Sequence, residues 1–129
     1  ITRSGVGNIA IGVLAGGTTG STISGGTVAV GTSALAEGSD SIAIGTNATA
    51  GDSGGAKDDG IAIGNGASSK FLGGVAIGAG ATTTDANQLV FGSASNAVGT
   101  VIVAPPSVTT TTWTVKINGI DYKIPMYAA

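Results

Sequence analysis

The sequence predicts an all-β chain coiled as a β-roll, a solenoid of about six short rungs. Three observations lead there. An apolar unit ending in glycine recurs six times along the chain, and a repeat of this kind fixes architecture before local structure is read. Within each unit the large residues sit at i and i+2 and are mostly β-branched, the pattern of a strand. Glycine makes up 24 of 129 residues, about 19% against the roughly 7% of ordinary proteins, and each Gly costs a helix close to 1 kcal/mol relative to Ala.

In chain order the units are Ile9-Ala10-Ile11-Gly12, Val28-Ala29-Val30-Gly31, Ile42-Ala43-Ile44-Gly45, Ile61-Ala62-Ile63-Gly64, Val75-Ala76-Ile77-Gly78 and the variant Leu89-Val90-Phe91-Gly92. Their glycines are 19, 14, 19, 14 and 14 residues apart, so the period is 14 with two copies expanded by five. A second unit of small residues usually follows, as in Thr32-Ser33-Ala34-Leu35-Ala36 and Thr46-Asn47-Ala48-Thr49-Ala50. A rung therefore reads strand, glycine corner, short second strand, polar turn. Fourteen residues are too few for a helix plus a strand, and rungs stacked about 4.8 Å apart make a stem roughly 30 Å long. On this reading the Ile and Val residues point into the coil, Ile44 among them, and the Ala and Gly face of each strand is a flat outer surface. So narrow a coil is marginal alone, and oligomerisation is the expected remedy.

The two expansions fall at 16–26 and 51–60, and insertions in a solenoid map to loops on one face, often a binding face. The second is the more polar, with Asp52, Ser53, Lys57, Asp58 and Asp59. Lys70, with Phe71 and Leu72, marks a further irregularity beside a turn. After Gly92 the repeat stops, and Pro105-Pro106 ends any strand ladder there. Trp113 to Ile117, then Asn118-Gly119, then Ile120 to Ile124 predicts a two-residue type I′ hairpin. The expected organisation is a repeat domain over 1–95, a linker or neck over 96–111 and a hairpin tip over 112–129.

Composition excludes several functions. Five basic and seven acidic side chains leave a net charge of −2, which gives no grip on phosphates, so no nucleic-acid partner is expected. With no Cys and no His, disulfides, thiolate metal sites and the commonest general base are missing. No apolar run approaches the 18 or so residues of a membrane helix, the first residues show no signal-peptide pattern, and membrane insertion is not expected.

The repeats resemble the head repeats of trimeric autotransporter adhesins, whose motif runs S-x-A-I-G-x-x-A-x-A. Ser41-Ile42-Ala43-Ile44-Gly45-Thr46-Asn47-Ala48-Thr49-Ala50 is the nearest copy, and the resemblance spans residues 5 to 95 or so, about 70% of the chain. It implies a left-handed parallel β-roll packed with two others about a threefold axis, a homotrimer. Neither a heptad stalk nor membrane-barrel strands appear among the residues after the repeats. Thr112 to Tyr127 is instead similar to short C-terminal endings of bacteriophage fibre proteins, which implies a virion fibre rather than a surface-anchored bacterial adhesin.

Motifs that suggest catalysis do not assemble into a mechanism. Gly51-Asp52-Ser53-Gly54-Gly55 copies the surroundings of a serine-protease nucleophile, but the triad needs an imidazole to accept the serine proton. Asp52, Asp58 and Asp59 offer oxygen ligands to Ca²⁺, yet their spacing fits no EF-hand, and they read as solvated turn acids, so no metal and no cofactor is expected. Glu37 and Asp40 lie in a turn, not in the apolar pocket that a glycosidase acid requires. The threonines cluster instead of recurring on every rung, which argues against an ice-binding face. Trp113, Tyr122 and Tyr127 are candidate sugar-stacking groups, although packing among three hairpins accounts for them better.

The expected function is therefore structural and adhesive, without catalysis: a homotrimeric phage fibre segment on the virion surface, joined to other virion proteins and contacting a host-surface glycan or protein receptor. Candidate contact residues are Asp52, Ser53, Lys57, Asp58, Asp59, Lys70, Trp113, Tyr122 and Tyr127. A bacterial adhesin head, displayed on the cell surface, is the alternative, and a polysaccharide-cleaving tailspike ranks below it.

Overall fold

The computed structural model describes residues 7–16, 25–52, 58–96, 112–117 and 120–125, the last two segments as backbone. The chain divides into two compact units, Ile1–Gly99 and Thr100–Ala129. The described residues contain strands and turns but no helix. In the first unit the strands are β1 (Ile9–Ile11), β2 (Val28–Val30), β3 (Leu35–Ala36), β4 (Ile42–Ile44), β5 (Thr49–Ala50), β6 (Ile61–Ile63), β7 (Ser68–Ser69), β8 (Val75–Ile77) and β9 (Leu89–Phe91). In the second, β10 (Thr112–Ile117) and β11 (Ile120–Pro125) pair antiparallel, with Ile117 opposite Ile120. The Asn118-Gly119 turn between them, and the Pro pair of the expected linker, lie outside the described residues.

The described strands of the first unit form two parallel sheets, and from β2 to β8 the chain visits them alternately. One has six strands in the order β1-β2-β4-β6-β8-β9; the other has β3-β5-β7, extended by a bridge from Ser68 to Thr82. The repeat dictates the register. Ala10 pairs with Ala29, Ala29 with Ala43, Ala43 with Ala62, and Ala62 with Ala76, so equivalent residues of successive rungs form columns.

One expectation is reversed. The alanines, not the isoleucines, form the interior: Ala43 is 0% exposed, while its neighbour Ile44 is 38% exposed. Among the described residues the buried apolar side chains of this unit are all alanines: Ala29, Ala43, Ala62 and Ala76 in the middle of β2, β4, β6 and β8, and Ala15, Ala34, Ala36, Ala48, Ala50, Ala67 and Ala81 outside the six-stranded sheet. The physical reason is the perimeter of the rung. Both walls are short, both present their small residues to each other, and the space between them holds methyl groups. Each buried methyl contributes about 1 kcal/mol, whereas an Ile or Val side chain contributes roughly 1.5–3 kcal/mol only once it is covered. Among the described residues of this unit no large hydrophobic side chain is fully buried.

Corners complete each rung. On the trailing side of the third rung, Ala48 N–H donates to Gly45 O at 3.2 Å, and Asn47 has a φ of +57°. That is the pattern of a type II turn, which needs a left-handed third residue. Gly45 itself has a φ of +127°, and a Cβ placed on it would lie 2.5 Å from the carbonyl oxygen of Gly64 in the next rung. Gly12, Gly31, Gly64 and Gly78 stand in the same column. The corners thus stack backbone on backbone.

The interior also holds polar groups, and they differ from rung to rung. Asn8 Oδ1 accepts from both the N–H and the hydroxyl of Thr27, each at 3.1 Å. One rung on, Ser41 Oγ accepts from Gly60 N–H at 3.3 Å. Ser69 Oγ donates to Gly74 O at 2.7 Å.

Candidate functional site: an exposed apolar ladder

Strand alternation that turns the alanines inward turns their neighbours outward. The outer face of the six-stranded sheet therefore carries two parallel columns. Ile9, Val28, Ile42, Ile61, Val75 and Leu89 make one. Ile11, Val30, Ile44, Ile63, Ile77 and Phe91 make the other, in register. Every residue on this face of the strands is aliphatic or aromatic, and none carries a charge. Ile9, Ile11, Ile44, Ile63, Leu89 and Phe91 all count among the exposed large hydrophobic residues. A contiguous apolar strip of this kind on a small protein marks an interaction surface.

Two corners border the ladder. The trailing corner, after each first-sheet strand, runs through Val13-Leu14, Thr32-Ser33, Thr46-Asn47, Asn65-Gly66 and Ala79-Gly80, each pair bonded to the next through its backbone. The leading corner, before each strand, includes Ser39-Asp40, Asp58-Asp59 and Leu72-Gly73. Leu14, Ser33, Asp40, Asn47, Asp59 and Asn87 all hold left-handed backbone there. Asn and Asp tolerate that conformation better than most residues.

The acidic residues singled out from the sequence occupy structural positions on the leading corner. Asp58 is half-buried, and its Oδ1 accepts from Ser39 N–H at 2.8 Å, tying one rung to the one before. Asp59 is exposed and donates its own N–H to Ser39 O at 2.9 Å. Asp52 is half-buried and already engaged within the chain. Lys70 is exposed just after β7. Ser53, Lys57 and Tyr127 lie outside the described residues; Trp113 and Tyr122 are placed only as backbone, on β10 and β11. The structure brings Asp58 and Asp59 together and leaves Lys70 on the rung that follows. Among the described residues no group of three acids, His or Cys converges as a metal site would require. Asp58→Ala is expected to lower stability by about 1 kcal/mol, because Ser39 N–H loses its acceptor; a thermal melt beside Asp58→Asn checks this.

The ladder itself was not among the residues picked out as functional. A signal for it exists in the sequence. The second-strand units are built from Ala and Ser at alternate positions, so the small residues of both walls match only if they face each other.

No family model, curated protein or solved structure matches this chain.

Proposed function

We propose that this chain is a segment of a homotrimeric adhesive fibre of a phage virion, in which the apolar ladder of each copy is covered by the other two. One observation carries the reading: an uncharged, two-column strip of large aliphatic side chains that repeats at the rung spacing. A partner able to match it along all six rungs needs apolar groups at that same spacing, and a second copy of this chain has them. In this reading the two sheets are the walls of a β-roll, the β10–β11 pair is a hairpin tip, and the likeness of the repeats to autotransporter adhesin heads supports three copies. That likeness also carries a second reading, an adhesin head on a bacterial surface, with the same assembly.

Fibre function then follows from geometry without a catalytic step. Three identical rigid stems present three copies of every exposed corner, and weak contacts to a host-surface glycan or protein gain strength through multivalency.

Sedimentation equilibrium on the full chain tests the assembly. The expected mass is three times the 12.1 kDa of one chain. An intact, cooperatively melting species at the single-chain mass overturns the proposal. Ile44→Asp places a charge in the covered strip of all three copies, where an unpaired charge is costly. It is expected to abolish the trimer at micromolar concentration, whereas Thr82→Asp, exposed on the second-sheet side away from the ladder, retains it.

A further inference from the structure

The trailing corner of the fourth rung holds a chemically reactive pair. Asn-Gly occurs twice in the chain, at 65–66 and 118–119, and the second lies outside the described residues. Asn is a labile residue, and a Gly after it has no Cβ to shield its nitrogen from the Asn side chain. In the reaction open to such a pair, Gly66 N bonds to Asn65 Cγ, the Cγ–Nδ2 bond breaks, and ammonia leaves with the proton of Gly66 N, closing a five-membered succinimide. Water then opens the ring at either carbonyl. The products are aspartate, with the main chain restored, or isoaspartate, with the main chain routed through Cβ and Cγ.

Both residues are exposed, and a Cβ added to Gly66 would meet nothing within 4 Å. No side chain shields the pair, so any protection is in the backbone. Gly64 O accepts from Ala67 N–H at 3.2 Å, and Gly66 has a φ of +64° whereas that of Asn65 is negative. This is a type II turn with Asn65 in its second position, where a ψ of about +120° turns the following nitrogen away from the side chain. Ring closure needs roughly a third of a turn about the Asn65 Cα–C bond. The peptide that must rotate is held on both sides. Gly66 N–H donates to Thr46 O of the preceding rung at 2.9 Å, and Asn65 O accepts from Gly80 N–H of the following rung at 2.9 Å.

We propose that Asn65-Gly66 is a conformationally gated modification site, shut while its rung is stacked between its neighbours, deamidating when they part, and unable to close again once isoaspartate has formed. The last step follows from the corner. Isoaspartate adds one atom to the main chain and turns the carbonyl that serves Gly80 into a free carboxylate. The stacked column has no slack for it, since even a Cβ on Gly64 would lie 2.6 Å from the backbone of Gly78. Aspartate at the same position only adds a charge to an exposed corner. None of these contacts is between copies, so the gate can fail without the trimer failing.

Peptide mapping tests the gate. Trypsin cuts after Lys57 and Lys70, so residues 58–70 form one fragment that contains Asn65 and excludes Asn118. The folded full-length chain, the same chain in denaturing urea and a synthetic 58–70 peptide are aged at mildly alkaline pH, and the gain of one mass unit at residue 65 is followed by fragmentation. The folded chain is expected to react at least about tenfold more slowly than the peptide, because its reaction waits for local opening. Its rate is expected to climb with urea below the unfolding midpoint. Equal rates in the folded chain and the peptide overturn the gate.

Refolding tests the lesion. Chains aged in urea and then diluted are expected to lose recovery of the far-UV circular dichroism in proportion to their isoaspartate, measured by enzymatic methylation of its carboxylate. Asn65→Gln chains aged in the same way are expected to refold fully, and fresh Asn65→Asp chains are expected to fold. Full recovery of chains that contain isoaspartate, or an equal loss in aged Asn65→Gln, overturns the claim that this linkage holds the rung open. A fresh Asn65→Asp chain that fails to fold assigns the damage to charge and overturns it as well.

Discussion

Gly45→Ala is expected to be among the most damaging single substitutions in the chain. Two costs coincide at this position. A φ of +127° is a conformation that L side chains rarely adopt, and such strain costs on the order of 1–3 kcal/mol. The added methyl would also sit 2.5 Å from Gly64 O and 2.6 Å from Gly64 C, and backbone stacked on backbone has no flexible end to yield, which adds an overpacking cost of about 1–3 kcal/mol. Together they reach roughly 3–5 kcal/mol, a large share of the 5–15 kcal/mol that holds a typical domain folded. Gly66→Ala is the matched control, since Gly66 has a φ of +64° but nothing within 4 Å of the new atom. It is expected to lose about 1 kcal/mol. Chemical denaturation of the two variants separates clash from strain; equal midpoints would refute the stacked-corner account.

Ala43→Ile is the second large effect, and it tests the orientation of every strand at once. Ala43 is fully buried between alanines above, below and across the sheet gap. Three additional carbons have no space to enter unless the two walls separate, so a loss of about 3 kcal/mol or more is expected. Hydrogen exchange is the suitable readout, because the damage should reach β2 and β6, which pair with β4 on either side. If the isoleucines pointed inward, Ala43→Ile would change only a surface and stability would barely move. A wild-type exchange pattern in this variant therefore refutes the alanine core.

How much of this was legible in the sequence depends on which physical question is asked. The 14-residue period placed the six first-sheet strands, because a strand repeating at constant spacing has one register in which all equivalent residues align. The all-β character followed from the glycines and from β-branched residues at i and i+2. Orientation was not recovered. Alternation says that Ile42 and Ile44 share a face opposite Ala43, but the usual rule that large apolar residues go inside then chose the wrong face. That rule assumes a core wide enough for them, and a rung of two short strands cannot enclose one. The surface that matters was hidden by the same error, since the ladder consists of the residues assigned to the interior. Asp58 was readable as a turn acid, whereas its bond to Ser39 N–H depends on a rung 19 residues earlier and on a stacking phase that no local pattern gives.

The hydrogen bonds inside the rungs bear on how such a chain reaches its native state. Near-identical repeats invite mis-threading, in which a segment docks one level too high or too low and still buries its alanine methyls. Hydrophobic collapse alone barely distinguishes these outcomes. Asn8 with Thr27 and Ser41 with Gly60, each 19 residues apart, form two chemically distinct pairings between rungs, and a mis-threaded chain forfeits them, leaving polar atoms dehydrated and unpaired. They serve as address labels, giving the correct order of levels an energetic advantage that the repeat by itself lacks.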